Sequence, residues 1–267
     1  MSETADDTDG SIHSLPNGSL LEIVIDRPAK LNGFTPKMLR EYAYAITAYE
    51  ANAEFRCALV RANGAHFTAG LDLPKVAECW RRGEEVYATD ALDMWDLRPP
   101  YRTKPLVIAV QGICFTVGVE LMLSADIVVA TDNCRFGQME VKRGIMARGG
   151  ATIRMVERAG WGNAMRYLLT GDEWDAETAL RLNFIQEIVP AGQEQARARE
   201  LALKIATQAA PLAVQETRRN ARCSLEEGSL AAIAQFEEIG LRLRATDDAT
   251  EGVRSFVEKR PPKFMGR

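Results

Sequence analysis

At 267 residues the chain can form one large domain or two small ones, and its 46% hydrophobic and 26% charged residues can fill a sizeable core. A formal net charge of −4 gives no electrostatic reason to expect a nucleic-acid partner. Cys57, Cys79, Cys114, Cys134 and Cys223 are scattered without a CxxC pair, which fits reduced thiols in a cytoplasmic protein better than a disulfide framework or a metal site.

The opening "MSETADDTDG" is acidic and polar, with no basic-then-apolar run, so residues 1–14 read as a loose tail rather than a targeting peptide. Four short runs rich in Val and Ile follow as expected strands: "LLEIVID" (20–26), "CALVRA" (57–62), "PLVIAV" (105–110) and "DIVVAT" (126–131). The apolar run "PLVIAV" is far shorter than the roughly 20 residues a membrane span needs, and no membrane partner is expected. Between the first two strands, "TPKMLREYAYAITAYEAN" (35–52) predicts a helix with Thr35 as N-cap and Pro36 at the first turn. Strands alternating with helices imply an α/β fold. From Gly149 onward helical spacing dominates, in "ATIRMVERAG", "WDAETALRLN", "EQARARELALKIATQ", "PLAVQETRRNARC" and "LAAIAQFEEIGLRLRA". One piece, "FIQEIVP", reads as a last strand or an extended connector. The expected plan is an α/β core over 15–200 followed by a helical region over 201–267.

Three stretches stand out for chemistry: "GAHFTAGLDL" (64–73), "GICFTVGVEL" (112–121) and "FGQMEVKRGI" (136–145). The first, alone, is a glycine-containing turn after a strand. The second leads from a strand into a helix, whose first N–H groups lack partners and can face an anion. It also carries Glu120 among Val117, Val119, Leu121, Met122 and Leu123, where burying an unpaired charge costs several kcal/mol. A glutamate one turn into a helix commonly just complements the helix dipole, and Glu140 alone reads as a surface loop carboxylate.

Taken together these stretches resemble the crotonase superfamily, whose best-known member is enoyl-CoA hydratase. "HFTAGLDL" is similar to the family's F-[SA]-A-G-[AL]-D-[LI] segment, and "GICFTVGVELMLSADIVVA" to its G-x-[AC]-x-G-G-G-x-E-L segment. "DRPAKLNGFT" and "EGVRSFVEKRPPKF" resemble further landmarks near the two ends, so the likeness runs from about Leu20 to Phe264.

The resemblance implies an α/β core of ββα units with a helical C-terminal trimerisation region, in a homo-trimer or a dimer of trimers. It implies an acyl-CoA thioester substrate, no metal and no cofactor besides the coenzyme A of that substrate. Glu120 and Glu140, 20 residues apart, stand where hydratases hold the water that adds across an enoyl thioester. Backbone N–H groups of Leu71 and Val117 match the oxyanion hole. Coenzyme A would lie along Ala29 and Leu31 and the segment Ala69, Gly70, Leu71, Asp72, Leu73 and Pro74, with Phe256 and Lys259 reaching the nucleotide of a neighbouring subunit. Two departures bear on the site. The family's glycine run is here Thr116-Val117-Gly118, and the loop after Glu140 carries Met146 and Arg148, the latter able to meet a substrate carboxylate or to point to solvent.

Syn hydration of a 2-enoyl-CoA leads this reading. An isomerase needs one glutamate, a hydrolase or carbon–carbon lyase would use an atypical acyl group, and a silent acyl-CoA-binding or RNA-associated relative would need neither carboxylate. A Cys114–His66 nucleophilic pair is the weakest candidate.

Overall fold

The computed structural model describes residues 9–267. Two sheets form its frame. Strands β1 (Ser11–Asn17), β2 (Leu20–Asp26), β3 (Cys57–Ala62), β4 (Leu106–Val110), β6 (Ile127–Thr131) and β9 (Glu187–Val189) make a six-stranded sheet in the order β1-β2-β3-β4-β6-β9. Only β1 runs antiparallel to its neighbour. Strands β5 (Ile113–Phe115), β7 (Arg135–Gly137) and β8 (Glu173–Asp175) form a second, smaller sheet.

All four strands expected from the Val and Ile runs are present, because parallel strands covered on both faces need apolar side chains on both. Leu21, Ile23 and Ile25 join the main core with helix α1 (Pro36–Ala51), whereas Leu20, Leu59, Val107 and Val129 face the other way. That second face is covered by α7 (Glu194–Gln208), whose Ala198, Ala202 and Ala206 recur every four residues and let the helix lie close to the sheet. Thr35 caps α1 as expected, its side chain accepting from the Met38 N–H at 3.2 Å. "FIQEIVP" supplies the last strand, β9.

One expectation fails. The stretch assigned to a loose tail contains the start of β1, which pairs with β2 from Ser11↔Asp26 onward. Its polar "SIHSLPN" carries no strand signal, and Pro16 is tolerated because this is an edge strand.

The remaining helices are α2 (Leu73–Arg81), α3 (Val117–Ser124), α4 (Ala151–Ala159), α5 (Trp161–Leu168) and α6 (Ala176–Arg181) in the first part of the chain. Then come α8 (Pro211–Glu226), α9 (Ser229–Ala234), α10 (Phe236–Arg244) and α11 (Asp247–Glu258). The expected boundary at residue 200 falls inside α7, which packs on the sheet. No helix among the described residues is long and apolar enough to cross a membrane.

Helix α8 is tied to the core by charge. Asp96, 7% exposed at its side chain, accepts from Arg218 at 2.6 Å and Arg222 at 2.8 Å, and its other oxygen accepts from the Arg102 N–H at 2.9 Å. Arg222 also lies over the Tyr101 ring, 3.5 Å from its centroid. Removing Asp96 would take one carboxylate partner from each of two largely buried guanidinium groups, leaving Arg218 with Asp126 and Arg222 with Glu226. Asp96→Ala is therefore expected to lower unfolding stability by about 3 kcal/mol, read by denaturant titration against wild type.

Candidate active site

Two loops of the chain run side by side to build the centre of the site. Phe67 N–H donates to Gln111 O at 2.8 Å, Thr68 N–H to Ile113 O at 3.0 Å, and Phe115 N–H to Thr68 O at 3.0 Å. A second run ties Phe34 to the same segment, with Phe34 N–H donating to Gly70 O and Asp72 N–H to Phe34 O, both at 2.8 Å. These ladders use the carbonyls and N–H groups on either side of Leu71 and Val117. The Leu71 and Val117 N–H groups themselves donate to no acceptor among the described residues. Val117 is the first residue of α3, so the positive end of that helix adds to its donor.

The departure from the glycine run is absorbed by strain. Thr116 takes φ 48°, ψ −109°, a conformation that a β-branched residue adopts only at a cost of order 1–3 kcal/mol. The backbone at Thr116 therefore takes a left-handed turn that glycine adopts more readily, and it leads directly into Val117 at the start of α3. Gly70 answers it across the gap. A Cβ there would sit 2.3 Å from Thr116 Oγ1, so no side chain fits beside the threonine.

Glu120 lies one turn into α3, a helix in which every residue is buried, and is itself 5% exposed. Its Oε1 accepts from the Gly149 N–H at 2.6 Å and, more weakly, from the Ala151 N–H at 3.4 Å. Burial, and then repulsion from Glu140, push its carboxyl up to about 7, against the pull of those N–H donors and the Arg154 charge. Glu140 opens a 3-10 turn over Glu140–Arg143. Its Oε1 accepts from Gln138 Nε2 at 3.0 Å, while Oε2 is buried without a partner. Burial holds it above the ordinary carboxylate range. Beside it is an apolar cavity of about 200 Å³ lined by Val141, Met146, Met165 and Leu168 among others. A larger cavity of about 930 Å³, between α4 and α8, contains neither glutamate. Two desolvated carboxylates that repel each other, one titrating near neutrality, are suited to exchanging protons with a water held between them.

The structure places the other expected residues unevenly. Ala29 and Leu31 are exposed on a 3-10 turn and its cap, and Leu31 O accepts from Ala69 N–H at 2.9 Å, fixing the two segments together. Leu73 and Pro74 are exposed at the start of α2. Asp72 has both oxygens engaged within the chain, one capping α2 at Lys75 N–H and one on the buried Arg27 at 2.9 Å. It holds the loop in shape. Arg148 is exposed and forms no ion pair among the described residues, and its charge acts on Tyr87, which also feels Glu120. Phe256 and Lys259 are exposed at the end of α11, and no hydrogen bond among the described residues joins them to the site. The Cys114–His66 pair does not form. His66 Nδ1 accepts from the Ile113 N–H at 3.1 Å, and burial raises the Cys114 thiol well above its ordinary value.

Gln138, Tyr87, Trp95 and Gly149 were not singled out by sequence. Gln138 lies in the two-residue link between β7 and the 3-10 turn that opens at Glu140, where no periodicity marks it. Tyr87 and Trp95 lie between α2 and β4 in a stretch with no periodicity to read.

Two measurements test this geometry. A Cβ on Gly149 would lie 2.5 Å from both Glu120 Oε2 and Trp95 Nε1. Gly149→Ala is therefore expected to displace the carboxylate and lower turnover by roughly tenfold or more, with acyl-CoA affinity largely kept. The second concerns pH. A carboxyl whose folded value is raised from 4.5 to about 7 makes the fold less stable as pH rises through that window. Glu120→Gln should be more stable than wild type at pH 8, by roughly 3 kcal/mol, and indistinguishable from it at pH 4, as measured by calorimetric melting at both values.

Comparison with known proteins identifies the family. Residues 16–267 match the family model described as enoyl-CoA hydratase/isomerase. The chain is 32% identical over 250 residues to the 2,3-dehydroadipyl-CoA hydratase of Escherichia coli K12, covering 93% of this chain and 96% of that one. It is 34% identical over 257 residues to the enoyl-CoA hydratase EchA19 of Mycobacterium tuberculosis, covering 94% of each. A crystal structure of a probable enoyl-CoA hydratase/isomerase from Mycobacterium abscessus superposes with a TM-score of 0.91 at 42% identity, covering 96% of this chain and 98% of that one. On a match that spans nearly the whole chain and on relatives above the threshold of chance likeness, the chain belongs to the enoyl-CoA hydratase/isomerase family of the crotonase superfamily.

Proposed function

We propose that the chain adds water in a syn sense across the 2,3 double bond of a 2-enoyl-CoA, giving a 3-hydroxyacyl-CoA. The observation that carries this reading is the pair Glu120 and Glu140, both raised by burial, set beside two backbone N–H groups with no acceptor of their own. The thioester carbonyl oxygen accepts from Leu71 and Val117 N–H, which stabilise the enolate-like charge as it develops. Water lies between the two carboxylates. One, ionised, removes a proton as the water oxygen bonds to C3, and the other, starting protonated, holds the water and gives its proton to C2. The product has gained the elements of one water, and the carboxylates end in their starting states after proton exchange with solvent.

Retention of two carboxylates favours hydration over isomerisation, which shuttles one proton with one base. Arg148, exposed beside this site, supports acyl groups that themselves carry a carboxylate as part of the substrate range. The same reading extends to assembly. Leu230, Phe236, Val253 and Val257 expose apolar side chains on α9 to α11, which supports burial in a homo-trimer or a dimer of trimers.

Loss of the enoyl-thioester absorbance of crotonyl-CoA tests the reaction. Wild type should consume it, and Glu120→Gln and Glu140→Gln should each fall by about two orders of magnitude or more while keeping the fold. A wild type that binds acyl-CoA but leaves every enoyl ester unchanged would sink the hydratase reading.

A further inference from the structure

Trp95 lies in the stretch between α2 and β4, 8% exposed, its ring edge-on to Tyr87 with centroids 5.2 Å apart. Its indole N–H is buried and has no acceptor. Leaving such a donor unmade costs about 1–3 kcal/mol. The position of that donor is informative. Trp95 Nε1 and Glu120 Oε2 each lie 2.5 Å from the point where a Cβ on Gly149 would stand, so the two atoms flank the same gap. Glu120 Oε1 is already taken by Gly149 and Ala151, whereas Oε2 makes no hydrogen bond among the described residues. The neighbouring Asp96 is clamped by Arg218 and Arg222, which fixes this part of the loop against α8.

We propose that Trp95 is a positioning residue for the hydration step: with an acyl thioester bound, its indole N–H donates to Glu120 Oε2 and holds the carboxylate ionised and aimed at the reacting water. This rests on the reading of Glu120 as a reacting carboxylate. Substrate closes the small gap between donor and acceptor, and the N–H then replaces the solvent that the acyl group displaces. A donor to the charged form favours that form. It works with the Gly149 and Ala151 N–H groups and the Arg154 charge, and against burial and the Glu140 charge. Tyr87 and Arg148 face the same region from the loops on either side.

The test is Trp95→Phe, with Trp95 replaced by benzothienylalanine as a second variant that keeps the ring shape and lacks the N–H. Both are expected to lower kcat about tenfold with little change in KM for crotonyl-CoA. Both should also move the low-pH limb of kcat upward by about 0.5–1 pH unit, the size of one hydrogen bond to the carboxylate. A readout without turnover separates this from the function itself. Difference infrared titration of the protonated carboxyl band, assigned with Glu120→Gln and recorded with butyryl-CoA bound, should show the same upward movement in both variants. A band and a limb that stay in place in the shape-preserving variant would overturn the proposal and leave Trp95 as packing for Tyr87. Failure of wild type to hydrate any enoyl-CoA, with the infrared movement intact, would instead remove the hydratase reading and keep the Trp95–Glu120 contact.

Discussion

A carboxylate buried in an apolar helix is the constraint on which the rest of this structure turns. Glu120 is surrounded by the fully buried residues of α3, and a charge in that position is tolerable only if donors replace the water it has lost. The Gly149 N–H supplies that donor, and it can do so only because residue 149 has no side chain. Gly149 makes room for that contact beside Trp95, while Gly150, at φ 101°, turns the chain into α4 against Arg154 and Leu97. The compensation is partial. A carboxyl left near 7 rather than at its ordinary value is destabilising at neutral pH, and it is also a group able to change protonation state in the working range.

The second constraint is strain. Thr116 occupies a backbone region that disfavours a β-branched residue, and the two loops that meet there are zipped by hydrogen bonds on both sides. Those ladders over-determine the turn. Leu71 and Val117 are left as donors with no acceptor among the described residues, Val117 because a helix leaves its first N–H groups unpaired. A backbone N–H is offered whatever the side chain, so valine at 117 keeps this donor where the family pattern has glycine. What the site cannot tolerate is bulk at Gly70, where the Thr116 hydroxyl fills the space.

The C-terminal helices contribute to the site at a distance. Asp96, accepting from two arginines of α8, joins the last part of the chain to the loop that carries Trp95. Burial of that carboxylate among guanidinium groups makes the loop's position depend on a helix more than a hundred residues later in sequence. The apolar side chains that α9 to α11 leave exposed lie on the opposite side of the energetic balance, being surface that a single chain has not removed from water.

The sequence by itself determined the elements whose residue types answer to local physics. Doubly covered parallel strands need Val and Ile on both faces, so β2, β3, β4 and β6 were legible, as were the Thr35 cap of α1 and the helical second half. Glu120, Glu140, Leu71 and Val117 stood out as candidates, through a resemblance resting on motif spacing. Tertiary structure decided the remainder. β1 was invisible because an edge strand draws its stability from β2 rather than from its own polar residues. The Asp72–Arg27 contact, the Gly149 donor, the Gln138 support for Glu140 and the Trp95 N–H depend on groups far apart in the chain. Their roles come from which atoms the fold leaves without water and without a partner, and no window of local sequence carries that information.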